Sequence, residues 1–178
     1  MNAETSTIYE LDAGNRICLI EGNWDEFVRK NISGDQSSER LIKENVLGNR
    51  LENYIHDDAT RMLLYTLIDG VRRTKQVKTI RYRCDSPNMK RFMRMVIEPQ
   101  KHEGVRLIHS FLRSENLDPP VEIEPVTADT AKHNVRCSIC NRIELNRCWL
   151  EPDEAAMKSG KKRFHVSYTV CPICMNTA

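Results

Sequence analysis

Two Cys-x-x-Cys pairs, Cys137 with Cys140 and Cys171 with Cys174, stand in the last quarter of the 178-residue sequence and constrain its fold more than any other feature. Two thiolates three residues apart on a tight turn supply half of a tetrahedral shell, so two such pairs together form a four-sulfur zinc site of the structural kind. The 30 residues between the pairs read as a strand, a short helix around Pro152–Lys158 and a returning strand. After residue 134 the large apolar side chains are few, chiefly Val135, Ile139, Ile143, Leu145, Trp149, Leu150, Phe164, Val166, Tyr168 and Ile173. A core that small is marginal alone, whereas a structural zinc ion contributes on the order of 10 kcal/mol to folding. The competing reading is a redox couple. A thioredoxin-like thiol pair opens a helix within a βαβ unit, and neither pair is read in that context. Cys148, His133 and His165 are the alternates for a place in the metal shell. Cys148 is expected to pack beside Trp149 and the histidines to be exposed or locally bonded. Neither pair is followed by histidine, which excludes c-type haem attachment.

The chain has seven cysteines, no apolar run near the roughly 20 residues a membrane helix needs, and no leader-like start. It therefore reads as cytoplasmic, where disulfides do not persist and thiols serve as core, redox or metal groups. The formal net charge of +2 is too mild to indicate a nucleic acid partner. Ser114–Asn134, with three prolines and several acids, lacks a helical or sustained two-residue period and reads as a connector. The expected division is residues 1–117, a connector over 118–134, and a zinc-binding unit over 135–178.

In the first part, "RICLIEGNW" from Arg16 reads as a strand and turn, "NWDEFVRKN" as a short helix, and "SSERLIKENVLGNRLENYI" as two helical pieces around Gly48. The clearest helix is "HDDATRMLLYTLIDGVRRT", capped by Asp57 or Asp58, with a stripe that includes Met62, Leu63, Leu67 and Val71. Three strands follow. One has Ile80, Tyr82 and Cys84 opposite Arg81 and Arg83. The next has Met93, Met95 and Ile97 on one face, and the last has Val105, Leu107, His109 and Phe111. Short turns between them make a meander.

This order of elements over about Arg16–Arg113 resembles a PAS domain. "VLGNRLENYI" stands in the place of the family's Gly-containing motif, and the last three strands match "VKTIRYRCDSPNMKRFMRMVIEPQKHEGVRLIHSFLR". With the terminal "CSIC…CPIC", the chain resembles small bacterial PAS-like proteins. The resemblance implies an α+β fold, a PAS-like antiparallel sheet with helices on one face, followed by a small zinc-ribbon-like unit. It also implies a sensory module that binds a small ligand or a signalling partner and forms a homodimer.

Trp24, Tyr82, Met93, Met95 and His109 are the candidates to line a ligand cavity, and the same residues serve equally as core. Neither haem nor flavin is indicated. Cys18 and Cys84 read as buried thiols. From Arg72 to Arg94 there are nine Lys or Arg residues against one acid, Asp85. The stripe Arg81, Arg83, Lys90, Arg91 and Arg94 reads as a solvated face with the connector's acids among its counter-ions. The alternative is a nucleic-acid-binding regulator using that hairpin and the zinc unit, disfavoured because aromatic residues suited to base stacking are sparse. No phosphate loop, nucleophile elbow or metalloprotease helix is present, so no enzyme activity is expected.

Overall fold

Alternating burial along two long strands sets the first of two sheets. A computed structural model describes residues 6–31, 39–55, 57–126 and 132–177. Its five-stranded antiparallel sheet comprises β1 (Ser6–Leu11), β2 (Ile17–Gly22), β3 (Lys78–Arg83), β4 (Met89–Pro99) and β5 (Val105–Asn116), in the order β2-β1-β5-β4-β3. Between β2 and β3 lie α1 (Trp24–Asn31), α2 (Lys43–Val46), a 3-10 turn (Leu51–Tyr54) and α3 (Asp58–Thr74). This is the α+β arrangement that the PAS resemblance implied, with one strand more than the sequence reading assigned. The addition is β1, which pairs with β5 from Ser6 opposite Ser110 to Leu11 opposite Val105 and with β2 on its other edge.

The chain forms two compact units. One holds Met1–Ile55, Leu64–Ile80 and Arg94–Phe111; the other holds His56–Leu63, Arg81–Met93 and Leu112–Ala178. In the first unit, Met95 and Ile97 on β4 and Val105 and Leu107 on β5 are buried, while their strand neighbours are only partly so. Buried Val28, Val46, Leu67, Ile68 and Val71 from the helices complete that core, so one face of the sheet is covered. Met62, placed in the α3 stripe by its spacing, is 60% exposed, and Phe111 at the end of the β5 row is 39% exposed.

The second sheet has the order β6-β10-β7-β8-β9, from β6 (Glu122–Pro125), β7 (Asn134–Cys137), β8 (Ile143–Leu145), β9 (Cys148–Leu150) and β10 (Arg163–Thr169). The second strand in this order, β10, runs parallel to both of its neighbours, β6 and β7. Helix α4 (Pro152–Ser159) fills the inserted segment where the sequence placed a helix. It has Pro152 in its first turn, a reciprocal capping box between Glu151 and Glu154, and Gly160 in the left-handed conformation at its C-terminus. A final helix, α5 (Pro172–Thr177), follows β10.

The connector reading of 118–134 is corrected by this sheet. Leu117 and Val121 are buried with Ile143, Ala155, Ala156, Phe164 and Val166, and β6 pairs with β10 from Glu122 opposite Arg163 onward. Their backbone N–H groups are used as well, Leu117 donating to the Asn88 carbonyl and Val121 to that of Pro87. Two prolines disguised a segment whose apolar residues, four apart, insert into a core. Residues 127–131 of the same stretch lie outside the described residues. Among the described residues, no helix is long and apolar enough to cross a membrane.

Candidate metal centre

Parallel pairing of β7 with β10 places Cys137 opposite Thr169, so the two strands end side by side and their following turns meet. The first turn is Ser138–Cys140. It is closed by the Asn141 N–H donating to the Cys137 carbonyl at 2.9 Å, with Asn141 in the left-handed region at φ 61°. Asparagine tolerates that conformation better than most side chains, which suits a turn with no glycine after its second cysteine. The second pair straddles the start of α5, with Cys171 immediately before Pro172 and Cys174 within the first turn. A strand-to-helix setting was not expected for either pair. What separates this one from a lone redox couple is the convergence of the other two sulfurs upon it.

The ligand atoms of Cys137, Cys140, Cys171 and Cys174 all lie within 4.8 Å of one another. Sulfurs 2.3 Å from a common zinc ion would sit about 3.8 Å apart at the corners of a tetrahedron, and Cys140 Sγ and Cys171 Sγ are 3.8 Å apart. Cys137 and Cys171 are fully buried, whereas Cys140 and Cys174 are half-buried. A donor set of four convergent thiols without a carboxylate or imidazole fits a soft, tetrahedral ion and leaves no open position for catalysis. The electrostatics agree. A hydrogen bond from the Cys140 thiol holds Cys137 well below the ordinary thiol range despite burial, assisted by backbone N–H groups that include that of Cys171, 3.4 Å from Cys137 Sγ. The centre thus favours thiolate at one of its two fully buried cysteines. Burial pushes Cys174 up, and the bond to Cys137 pushes Cys140 up, so filling the site displaces protons.

Cys148 is exposed on β9 instead of packed, and it stands outside the cluster. His165 Nδ1 lies 3.1 Å from Glu124 and, like His133, is not among the clustered ligands. Cys18 is also exposed, contrary to the sequence reading, while Cys84 is half-buried and its thiol is pushed up by that burial.

The basic stripe is corrected at Arg83 and Lys90, while Arg81 is exposed as a solvated face requires. Arg83 is 7% exposed. Its guanidinium donates to both oxygens of Asp85 and to Glu151, and Lys90 lies 2.8 Å from Asp153 and 3.6 Å from Glu151. The counter-ions therefore come from the hairpin itself and from the start of α4, while the connector's Glu122 and Glu124 pair with Arg163. Burial pulls the Arg83 guanidinium down, but its bonds to Asp85 and Glu151 outweigh this and hold it above the usual arginine value. Sequence reasoning missed this network because Glu151 and Asp153 lie 60 or more positions away, and no local pattern links them to the hairpin.

Of the residues proposed to line a cavity, Trp24, Met95 and His109 belong to the first unit, and Tyr82 and Met93 to the second. Trp24 and His109 both meet Tyr9, which the sequence reading did not single out. The Tyr9 ring stacks on His109 with centroids 5.3 Å apart and meets Trp24 edge-on at 6.0 Å. The Trp24 indole N–H also donates to the Leu41 carbonyl at 2.6 Å. Tyr9 is buried, and so are Met95 and Met93 on β4.

No protein-family model matches the chain, and no curated protein matches it. Among solved structures, one described as an RNA-binding light-oxygen-voltage receptor is similar over 61% of this chain, at 12% identity and a TM-score of 0.39. The match spans 28% of the receptor's own chain, and a likeness that shallow decides nothing about function.

Proposed function

We propose that this chain is a non-enzymatic sensory or regulatory module in which a PAS-like α+β fold recognises a small ligand or a protein partner and a structural zinc ion organises the C-terminal sheet. The observation that carries the zinc assignment is the convergence of the four sulfurs from Cys137, Cys140, Cys171 and Cys174 within 4.8 Å. Zinc bound there would cross-link the ends of β7 and β10 to the start of α5, fixing the parallel pairing on which the second sheet depends. The Tyr9, Trp24 and His109 cluster is the candidate ligand region of the first unit. A homodimer formed through the N-terminal segment or the outer face of the first sheet completes the reading.

Elemental analysis and an optical spectrum of the purified chain test this in one step. One zinc per chain with no visible absorbance is expected. A chain without zinc, or one with a haem or flavin spectrum, refutes it. Sedimentation at high micromolar concentration tests the dimer, and a monomeric mass refutes that part. The nucleic-acid alternative loses support because Arg83 and Lys90 are engaged with acids of the same unit. Binding of DNA or RNA that weakens steeply with added salt would restore it.

A further inference from the structure

The turn that carries the first cysteine pair also holds two other elements. Ser138, between Cys137 and Cys140, donates its hydroxyl to Asp57 Oδ2 at 3.0 Å. The second oxygen of that carboxylate accepts from the Thr60 backbone N–H at 2.7 Å, and the Asp57 carbonyl accepts from the Arg61 N–H at 3.1 Å. Asp57 is therefore the N-cap of α3, and the metal turn orients the capping carboxylate. One residue further along the turn, the Ile139 carbonyl accepts from the Arg83 N–H at 2.8 Å, at the last residue of β3. Asp57, Arg83, Ser138 and Ile139 all belong to the second unit, while the rest of α3 and of β3 continues into the first.

We infer that metal occupancy of the four-cysteine centre controls the order of the first turn of α3 and of the last residue of β3, with Ser138 and Ile139 as the clasp. The inference rests on the zinc assignment proposed above. With both cysteines of the turn bound to one ion, the Ser138 hydroxyl and the Ile139 carbonyl are presented at fixed positions. Without the ion, the shape of residues 137–141, which includes a left-handed asparagine, rests on hydrogen bonds such as those from the Asn141 N–H to the Cys137 carbonyl and from the Ser138 N–H to the Thr169 carbonyl. The helix cap and the strand end are then released together. Ser138 acts through Asp57 and is a positioning residue, not a metal ligand.

The test uses the full chain, zinc-loaded or treated with a chelator, with amide exchange of Thr60 and Arg83 followed by NMR. Removal of zinc is expected to speed exchange at both amides. Because chelation also loosens the rest of the unit, Ser138→Ala is the discriminating variant. It is expected to keep one zinc per chain and to speed Thr60 exchange roughly 5- to 10-fold, the size of a lost N-cap, and Ser138→Thr, which retains the hydroxyl, is expected to restore protection. A Ser138→Ala chain with zinc bound and Thr60 protected as in the parent overturns the clasp and leaves the metal assignment intact. So does a zinc-binding parent whose two amides exchange alike with and without the metal. A parent that binds no zinc overturns the metal assignment and the clasp with it.

Discussion

Arg83 at the end of β3 and Glu151 at the N-cap of α4, 68 positions apart in the sequence, form an ion pair within the second unit. The same guanidinium grips Asp85 through two nitrogens, and Glu151 also accepts from Arg142 at 3.0 Å. Arg142 supplies the carbonyl that accepts from the Cys137 N–H, so the charge network and the cysteine turn share a residue. Forked guanidinium-to-carboxylate geometry fixes direction as well as distance, which suits a network that must hold a turn in place.

Arg83→Met is expected to destabilise the second unit by about 3–5 kcal/mol, because it leaves the buried Asp85 carboxylate without its bidentate partner. Urea unfolding followed by tryptophan fluorescence at Trp149 measures this. A midpoint unchanged from the parent would show that the pair is ornamental to stability.

The sequence showed which cysteines come together, because zinc chemistry demands a local spacing that Cys137, Cys140, Cys171 and Cys174 meet, and these four do cluster. It also showed α4, where Pro152, Glu154 and Gly160 each act within one helical turn of their partners. It hid β6, since Pro119 and Pro120 mask Leu117 and Val121, and the parallel partner, β10, lies some 40 residues on. It also hid the burial of Arg83. Alternation on β3 separates cations from apolar residues, but only a distant carboxylate reveals which cation is neutralised inside. β1, as long as β2 and β3, went unread because only Tyr9 and Leu11 of its six residues are buried, too few to display a two-residue period.

Gly22→Ala is expected to cost at least about 2 kcal/mol in the first unit. Gly22 has φ of +81°, and a Cβ there would stand 2.2 Å from the Ser6 carbonyl oxygen on the paired strand. Relief would require β1 to move away from β2, where Thr7 faces Gly22. Thermal unfolding of Gly22→Ala beside the parent checks this, and an equal melting temperature would contradict the register of β1.

Cys140→Ser and Cys148→Ser separate the metal shell from the remaining thiols. Cys140→Ser is expected to lose zinc and to unfold much of the second sheet, because the core beside it draws two of its seven buried members from alanine. Cys148→Ser should retain one zinc and the parent's stability to within about 0.5 kcal/mol, as an exposed substitution away from the cluster. Zinc retained by the first variant, or lost by the second, would redraw the ligand set.

His109 supplies a pH dependence of calculable sign. Burial beside Tyr9 holds its imidazole neutral, with a pKa lowered from 6.5 to about 4. Between those two values the unfolded chain takes up a proton at His109 that the folded chain refuses, so stability contributed by this residue is complete above about pH 6.5 and declines as pH falls toward 4. The decline approaches about 1.4 kcal/mol per pH unit, the slope of a single proton. His109→Gln cannot titrate. It loses the stacking on Tyr9 and is less stable at neutral pH, but its stability should fall less steeply than the parent's from pH 6.5 to 4.5, by about that one-proton slope. Parallel stability curves for parent and variant over that range would mean that the His109 side chain reaches solvent and titrates as it does in the unfolded chain.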